Sequence, residues 1–548
     1  KIKKKKEKTR GSLGSGGVSR RRMRFAMLRA SRWVAARRYR LAFSTGIAGA
    51  YAGSRALSTS PHDSSSLAGF WARAKASGGV WEMLEGTRQS VMEVIHRDMM
   101  QSDFQHVQKA VTTMEKQLGS ILKSKISPES FYFLWKESYS HRDGKTKAEK
   151  NRAAHHPPVN DKRVLEDLDW IAKLTLLSYD ASDSQEQLEK ALVDFETNIP
   201  PRLAGSEAVA RLMLKIGTSR EVDELVDKVG KEAHHGERQK AMRQGKWRVV
   251  HLQSEARSIS PSHFVIVNDD TRSAVLCVRG TKSIADAVTD MHFDSELLEW
   301  KHNKMWARLS MSEKDTAHSG FSRSAKALLI QHEELLARLS LDGYKVTLTG
   351  HSLGAGTVAI MATQLHGPLP FLEAVCFATP GCMTEGLAKK CSPYVTSVVF
   401  DDDFIPRCGT HTLLGLHNEL VDVENRLPLL VSGYIAERIR AQKFSKELED
   451  WILEKLDQRT DDKTAEKPSM PPAELPDPYT HLYPAGKIVY LYRNKAEDGV
   501  VRTEAVYANN TFFDHIEVSP SMVTDHLLAF YIAGLGSASS GKPYSEPW

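Results

Sequence analysis

A chain of 548 residues with 41% hydrophobic and 26% charged side chains is long enough for two or three cores and has the balance of an ordinary folded protein. No uninterrupted apolar run reaches about 18 residues, so no membrane-spanning helix is expected. Five cysteines, odd in number and without paired ligand spacing, argue for reduced thiols in a core and against a disulfide framework.

The formal charge of +7 is unevenly spread. Residues 1–60 carry 17 Lys or Arg against the single acid Glu7, leaving 58 basic and 67 acidic side chains over the other 488. The body is mildly acidic, and no nucleic-acid partner is expected of it. From Met23 to Phe43 the apolar Phe25, Leu28, Trp33, Val34 and Leu41 are interleaved with six arginines, the pattern of a cationic amphipathic helix. This is the composition of an organelle transit segment, with a mitochondrion favoured over a plastid. The alternative location is the cytoplasm, peripheral to a membrane.

Residues 61–260 read as a helical N-terminal region, as in Val91–Leu122 and Gln185–Glu196, where apolar residues recur every three or four positions. A polar stretch at 141–161, with a Lys-rich run and Pro157-Pro158, reads as a linker. From Pro261 short β-branched runs appear: Phe264–Val267, Ala274–Val278, Lys345–Leu348, Glu373–Phe377, Val395–Phe400 and Lys487–Tyr492. Helical patterns at Gly320–Leu339 and Gly354–Leu365 lie between them, predicting a mostly parallel sheet with crossover helices over 261–535. A further helical pattern runs from Leu427 to Leu456. The Lys-, Asp- and Pro-rich stretch at 457–479 reads as a mobile surface insertion, and 536–548 as a tail.

The sharpest motif is Lys345-Val-Thr-Leu-Thr-Gly350-His351-Ser352-Leu353-Gly354-Ala355-Gly356, an apolar strand running through GxSxG into a small-residue helix. A serine on so sharp a strand-to-helix turn crowds its neighbours, which is why glycines stand two residues to either side. The turn exposes the hydroxyl at the end of the sheet, with the helix amino terminus behind it. Bare GxSxG is weak; in this context it predicts an α/β-hydrolase fold with Ser352 as nucleophile.

Such a serine needs a base and an orienting carboxylate, in chain order Ser, acid, His. The strand Val395–Phe400 opens into Asp401-Asp402-Asp403-Phe404-Ile405-Pro406-Arg407, and its residues alone do not decide among the three aspartates. His526, in Asp525-His526-Leu-Leu-Ala-Phe-Tyr531 at the start of an apolar helix, is the favoured base, with His515 the competitor. Oxyanion donors are expected from the N–H of Leu353 and from Cys277-Val-Arg279-Gly280-Thr281, where Thr281 can add its hydroxyl.

Taken together, Val278-Arg279-Gly280-Thr281, Ala317-His318-Ser319-Gly320-Phe321, Gly350-His-Ser-Leu-Gly354, Asp403-Phe-Ile-Pro-Arg407 and Asp525-His526 resemble the class 3 (fungal-type) lipases. Within them the chain is most similar to sn-1-specific diacylglycerol lipases, over roughly residues 245–535. The resemblance implies Asp403 as the acid, His526 as the base and Thr281 in the oxyanion hole, with no metal or other cofactor. It implies a serine lipase acting through an acyl-enzyme on a glycerolipid, diacylglycerol or triacylglycerol. Phospholipase, galactolipase, acyltransferase and non-catalytic lipid binding are the alternatives. Access from a membrane or lipid-droplet surface is expected. The mixed apolar and charged segment Met291–Met311 reads either as a lid or as a helix packed on the core.

Overall fold

The computed structural model describes residues 126–140, 152–195, 246–281, 295–297, 315–441 and 480–547, less a few single positions, with isolated residues between 92 and 108. All belong to one compact unit, Ser77–Trp548. Outside the described residues lie segment 1–60, most of Val91–Leu122 and of Met291–Met311, the helical pattern beyond Ala441, and the stretch 457–479.

Eight strands form the main sheet: β1 Trp247–Gln253, β2 His263–Asn268, β3 Ser273–Val278, β6 Lys345–His351, β7 Glu373–Phe377, β8 Val395–Phe400, β9 Lys487–Lys495 and β10 Val501–Ala508. Their order in space is that order in sequence. β4 Ser295–Leu297 and β5 Thr316–His318 pair separately. From β3 to β9 the neighbours are parallel, while β1, β2 and β10 run antiparallel at the edges. β2 and β3 are buried at every position, as strands covered on both faces must be.

The helices are α1 Pro128–Ser140, α2 Lys162–Asp180, α3 Gln185–Leu192, α4 Ser319–Leu341, α5 Leu353–Leu365, α6 Glu385–Lys390, α7 Thr410–Ala441 and α8 Leu528–Ser540. One face of the sheet, formed by Ile266, Cys277, Val375, Phe377, Val398, Phe400 and Leu491, packs on α2, α3 and α8. α4 and α5 pack on β6, and α5 reaches β3 and β7 as well. The result is an α/β-hydrolase architecture with helices over a mostly parallel sheet, as the sequence pattern predicts.

Where the sequence reading places the boundary at 261, the sheet begins at β1. Trp-Arg-Val-Val-His-Leu-Gln is an edge strand that alternates in burial, so it lacks the continuous β-branched run that marks inner strands. α2 also belongs to this core: Leu165, Leu168, Ile171, Leu174 and Ser178 recur at helical spacing and are buried. The end of the expected linker is likewise built in, since Val159 N–H donates to the Ala505 carbonyl and Tyr507 N–H to that of Pro157. Nor is 536–548 a detached tail. α8 runs through Ser540, and the Tyr544 ring stacks at 5.9 Å on Phe400.

Candidate active site

Ser352 has φ 58° and ψ −125°, a conformation rarely adopted outside glycine. Its N–H donates to the Phe377 carbonyl at 2.9 Å, which ties the turn to β7. The flanking glycines leave no room for a side chain. A Cβ on Gly350 would sit 2.6 Å from the Gly354 carbonyl carbon, and one on Gly354 would sit 2.2 Å from the Val278 oxygen. β6 and α5 can meet at this angle only because both positions are bare.

Three side chains from distant parts of the chain converge on this turn. His526 Nε2 lies 3.1 Å from Ser352 Oγ, and His526 Nδ1 lies 3.1 Å from each Asp403 carboxylate oxygen. A carboxylate only accepts, so Nδ1 carries the imidazole proton and Nε2 turns its lone pair to the serine hydroxyl. Asp403 is fully buried and fixed on both oxygens, by the Ile405 N–H at 2.9 Å and the Tyr531 hydroxyl at 2.5 Å. Burial and the neighbouring Asp403 charge push the Tyr531 phenol up, so it stays the donor. A hydroxyl, an imidazole and a carboxylate in this line can pass a proton from oxygen to nitrogen and hold the imidazolium that forms.

The run of three aspartates is divided among three roles. Asp403 faces the imidazole. Asp402 accepts from the Ser521 hydroxyl at 3.0 Å, and its own N–H donates to Asp525 Oδ2 at 3.3 Å. Asp401 pairs with the Arg493 guanidinium, which also donates to Asp525 Oδ2 at 2.5 Å. Burial works against the Arg493 charge, but Asp401 and Asp525 outweigh it and raise its pKa. Burial, reinforced by Asp401 and Asp402, raises the Asp525 carboxyl. Arg493 thereby holds the loop that carries His526 against the loop that carries Asp403. His515 lies elsewhere, 3.6 Å from Glu419.

β3 ends level with the serine turn, Val278 pairing with Gly350. A Cβ on Gly280 would stand 3.1 Å from that of Ser352, so the loop after β3 packs directly on the turn. The Thr281 hydroxyl, one residue past Gly280, is buried with no hydrogen-bond partner among the described residues. Leu353 opens α5, and an N–H in a helix's first turn has no intrahelical acceptor.

One participant has no signal in the sequence. Tyr179, in the last turn of α2, accepts from the Gly280 N–H at 3.0 Å and lies 2.9 Å from His351 Nδ1. His351 Nε2 is 2.8 Å from the His526 carbonyl oxygen. Because that carbonyl only accepts, Nε2–H donates to it and Nδ1 accepts from the Tyr179 hydroxyl. Burial, with His526 close by, lowers His351 to about 3 and keeps it neutral, while burial pushes the Tyr179 phenol up. A single directed chain of hydrogen bonds thus links the 280–281 loop, the serine turn and the backbone of His526.

Residues 275–412 match the family Lipase (class 3). These residues carry the class 3 lipase pattern. The match runs from β3 into α7 and takes in both Ser352 and Asp403. Diacylglycerol lipase-alpha of Rattus norvegicus is 27% identical over 290 residues, covering 50% of this chain and 27% of its own length. Diacylglycerol lipase-beta of Mus musculus is 29% identical over 180 residues, covering 32% of this chain and 26% of its own. This chain thus spans about a quarter of the length of these curated relatives. The crystal structure of a mono- and diacylglycerol lipase from Aspergillus oryzae superposes with a TM-score of 0.27 at 22% identity, over 31% of this chain and 60% of that one.

Proposed function

We propose that the chain is a serine hydrolase that cleaves a fatty-acyl ester of a glycerolipid, with diacylglycerol the first substrate to test and triacylglycerol the second. The observation that carries this reading is the 3.1 Å approach of His526 Nε2 to Ser352 Oγ, with Asp403 behind the imidazole, in a chain that carries the class 3 lipase pattern. The choice of acylglycerol is supported by the names of the relatives, diacylglycerol lipases alpha and beta.

In the proposed cycle His526 Nε2 takes the Ser352 proton as Oγ attacks the ester carbonyl. The Leu353 N–H and the Thr281 hydroxyl receive the oxyanion, and Asp403 stabilises the imidazolium. The imidazolium then protonates the departing glyceride oxygen, leaving an acyl-serine. Water, deprotonated by the same imidazole, releases the fatty acid and restores the serine. No helix among the described residues is long and apolar enough to cross a membrane. We infer that substrate is met at a membrane or droplet surface.

The test is fatty-acid release from mixed micelles of diacylglycerol, triacylglycerol, phospholipid or galactolipid. Diacylglycerol should be hydrolysed fastest. Ser352→Ala and His526→Ala should each lower kcat by at least about 10⁴, and Thr281→Val by roughly 10²–10³. Turnover that survives Ser352→Ala contradicts the mechanism, and preference for another lipid corrects the substrate.

A further inference from the structure

Away from the serine turn, three histidine rings crowd together where β1, β2 and α4 meet. His251 lies opposite Val265 and Gln253 opposite His263, so His251 and His263 are diagonal neighbours on one face of the β1–β2 pair. His332 reaches them from α4, and both His263 and His332 are buried while His251 is half-buried. Ring centroids stand 4.7 to 5.1 Å apart. With the three positions 12 and 69 apart in the chain, the sequence offers no ligand spacing that would have revealed them.

We propose that His251, His263 and His332 form a structural site for a divalent transition-metal ion of the zinc class. One nitrogen from each ring lies within 4.8 Å of the other two, and His263 Nε2 and His332 Nε2 are 2.7 Å apart. These spacings bracket the separation of about 3.3 Å that two nitrogens take on a tetrahedral ion with bonds of ~2.05 Å. His263 Nδ1 donates to the Pro261 carbonyl at 2.8 Å, which fixes its tautomer and turns the Nε2 lone pair inward. A backbone carbonyl behind the ring is the outer contact that metal-binding histidines use.

It follows that the His332 Nε2–H fills the 2.7 Å contact when no ion is bound. Binding moves that proton to Nδ1, leaves all three rings neutral and converts the contact into two ligand bonds. Imidazole suits zinc, copper and nickel, and its borderline softness disfavours magnesium and calcium. Water is available for the fourth position. The ion would pin the sheet edge to α4. His263 pairs with Val278, two residues before Gly280, so the clamped strand is the one beside the loop that packs on Ser352.

The test uses the full chain, stripped with a chelator, and Co²⁺ as an optical probe. One equivalent should bind with the visible absorption of a tetrahedral nitrogen-rich site and should be displaced by Zn²⁺. At a hundredfold excess over Kd, Zn²⁺ should raise Tm by roughly 2–5 °C. His251→Ala should weaken binding at least about 100-fold. His332→Gln should do the same, and His411→Ala, at a different histidine pair beside His481, should not. If His332→Gln fails to fold, His251→Ala, which alters a half-buried ring on an edge strand, decides alone. Absence of stoichiometric binding, or binding indifferent to His251→Ala, overturns the site.

Discussion

The His351 imidazole is held neutral between a tyrosine hydroxyl and a backbone carbonyl, with its pKa near 3 against 6.5 for the free group. As pH falls from about 6.5 toward 3, the unfolded chain takes up this proton and the folded chain does not, so the group's contribution to stability is present above 6.5 and is lost through that window. The slope for this one group is at most about 1.4 kcal/mol per pH unit. Denaturation midpoints at pH 7, 6 and 5 should therefore fall with acid, and His351→Asn should show a lower but flatter profile. An unchanged profile would mean that His351 takes up its proton over the same pH range in the folded and unfolded chains. Tyr179 stands at the other end of the same chain of contacts. Tyr179→Phe strands the Gly280 N–H and His351 Nδ1, each a buried group worth roughly 1–3 kcal/mol when unpaired. It should lower kcat about tenfold or more with KM little changed, since Tyr179 acts on the position of the reacting groups; a loss confined to KM would rule that out. Ser352 and its glycines were legible in sequence because the turn demands those residue types. Asp403 was not separable from Asp401 and Asp402, because three adjacent carboxylates differ only in which loop they face. Tyr179 was invisible, because one tyrosine in an amphipathic helix carries no mark of what its hydroxyl meets.

Among the elements, α2 changes the reading of the N-terminal half most. Its buried stripe covers the sheet beneath the site, and the Thr175 hydroxyl lies 2.8 Å from that of Thr349 on β6. Leu168→Ala should cost about 2–5 kcal/mol in denaturant unfolding, as for any well-packed core leucine. A cost near zero would show α2 to be an appendage. The inner strands β2, β3, β6, β7 and β8 were legible because a strand covered on both faces must be apolar throughout. β1 and β10 escaped notice for the converse reason. Val-Arg-Thr-Glu-Ala-Val-Tyr-Ala is mostly half-buried on both faces, and its pattern is too short and too irregular to announce a strand. Likewise, nothing local marked the Pro157-Pro158 segment as an added rung on β10, because its hydrogen bonds are made to residues more than 300 positions away.

At the scale of the molecule, a basic first 60 residues precede an acidic body whose chemistry-bearing loops meet at one rim of the sheet. The serine turn follows β6, the aspartate follows β8, the 280–281 loop follows β3, and His526 comes from the last loop before α8. Parallel strands put their carboxyl ends on one side, so residues 281, 352 and 403 are brought together by topology alone. The proposed reaction depends on His526 activating Ser352, and covalent labelling with a lipid-like fluorophosphonate, read by intact mass and peptide mapping, tests that directly. It predicts one adduct, on Ser352, formed at least about 10³ times more slowly in His526→Ala and absent in Ser352→Ala. Labelling of Ser352 at the same rate without the imidazole, or of another residue instead, would contradict it.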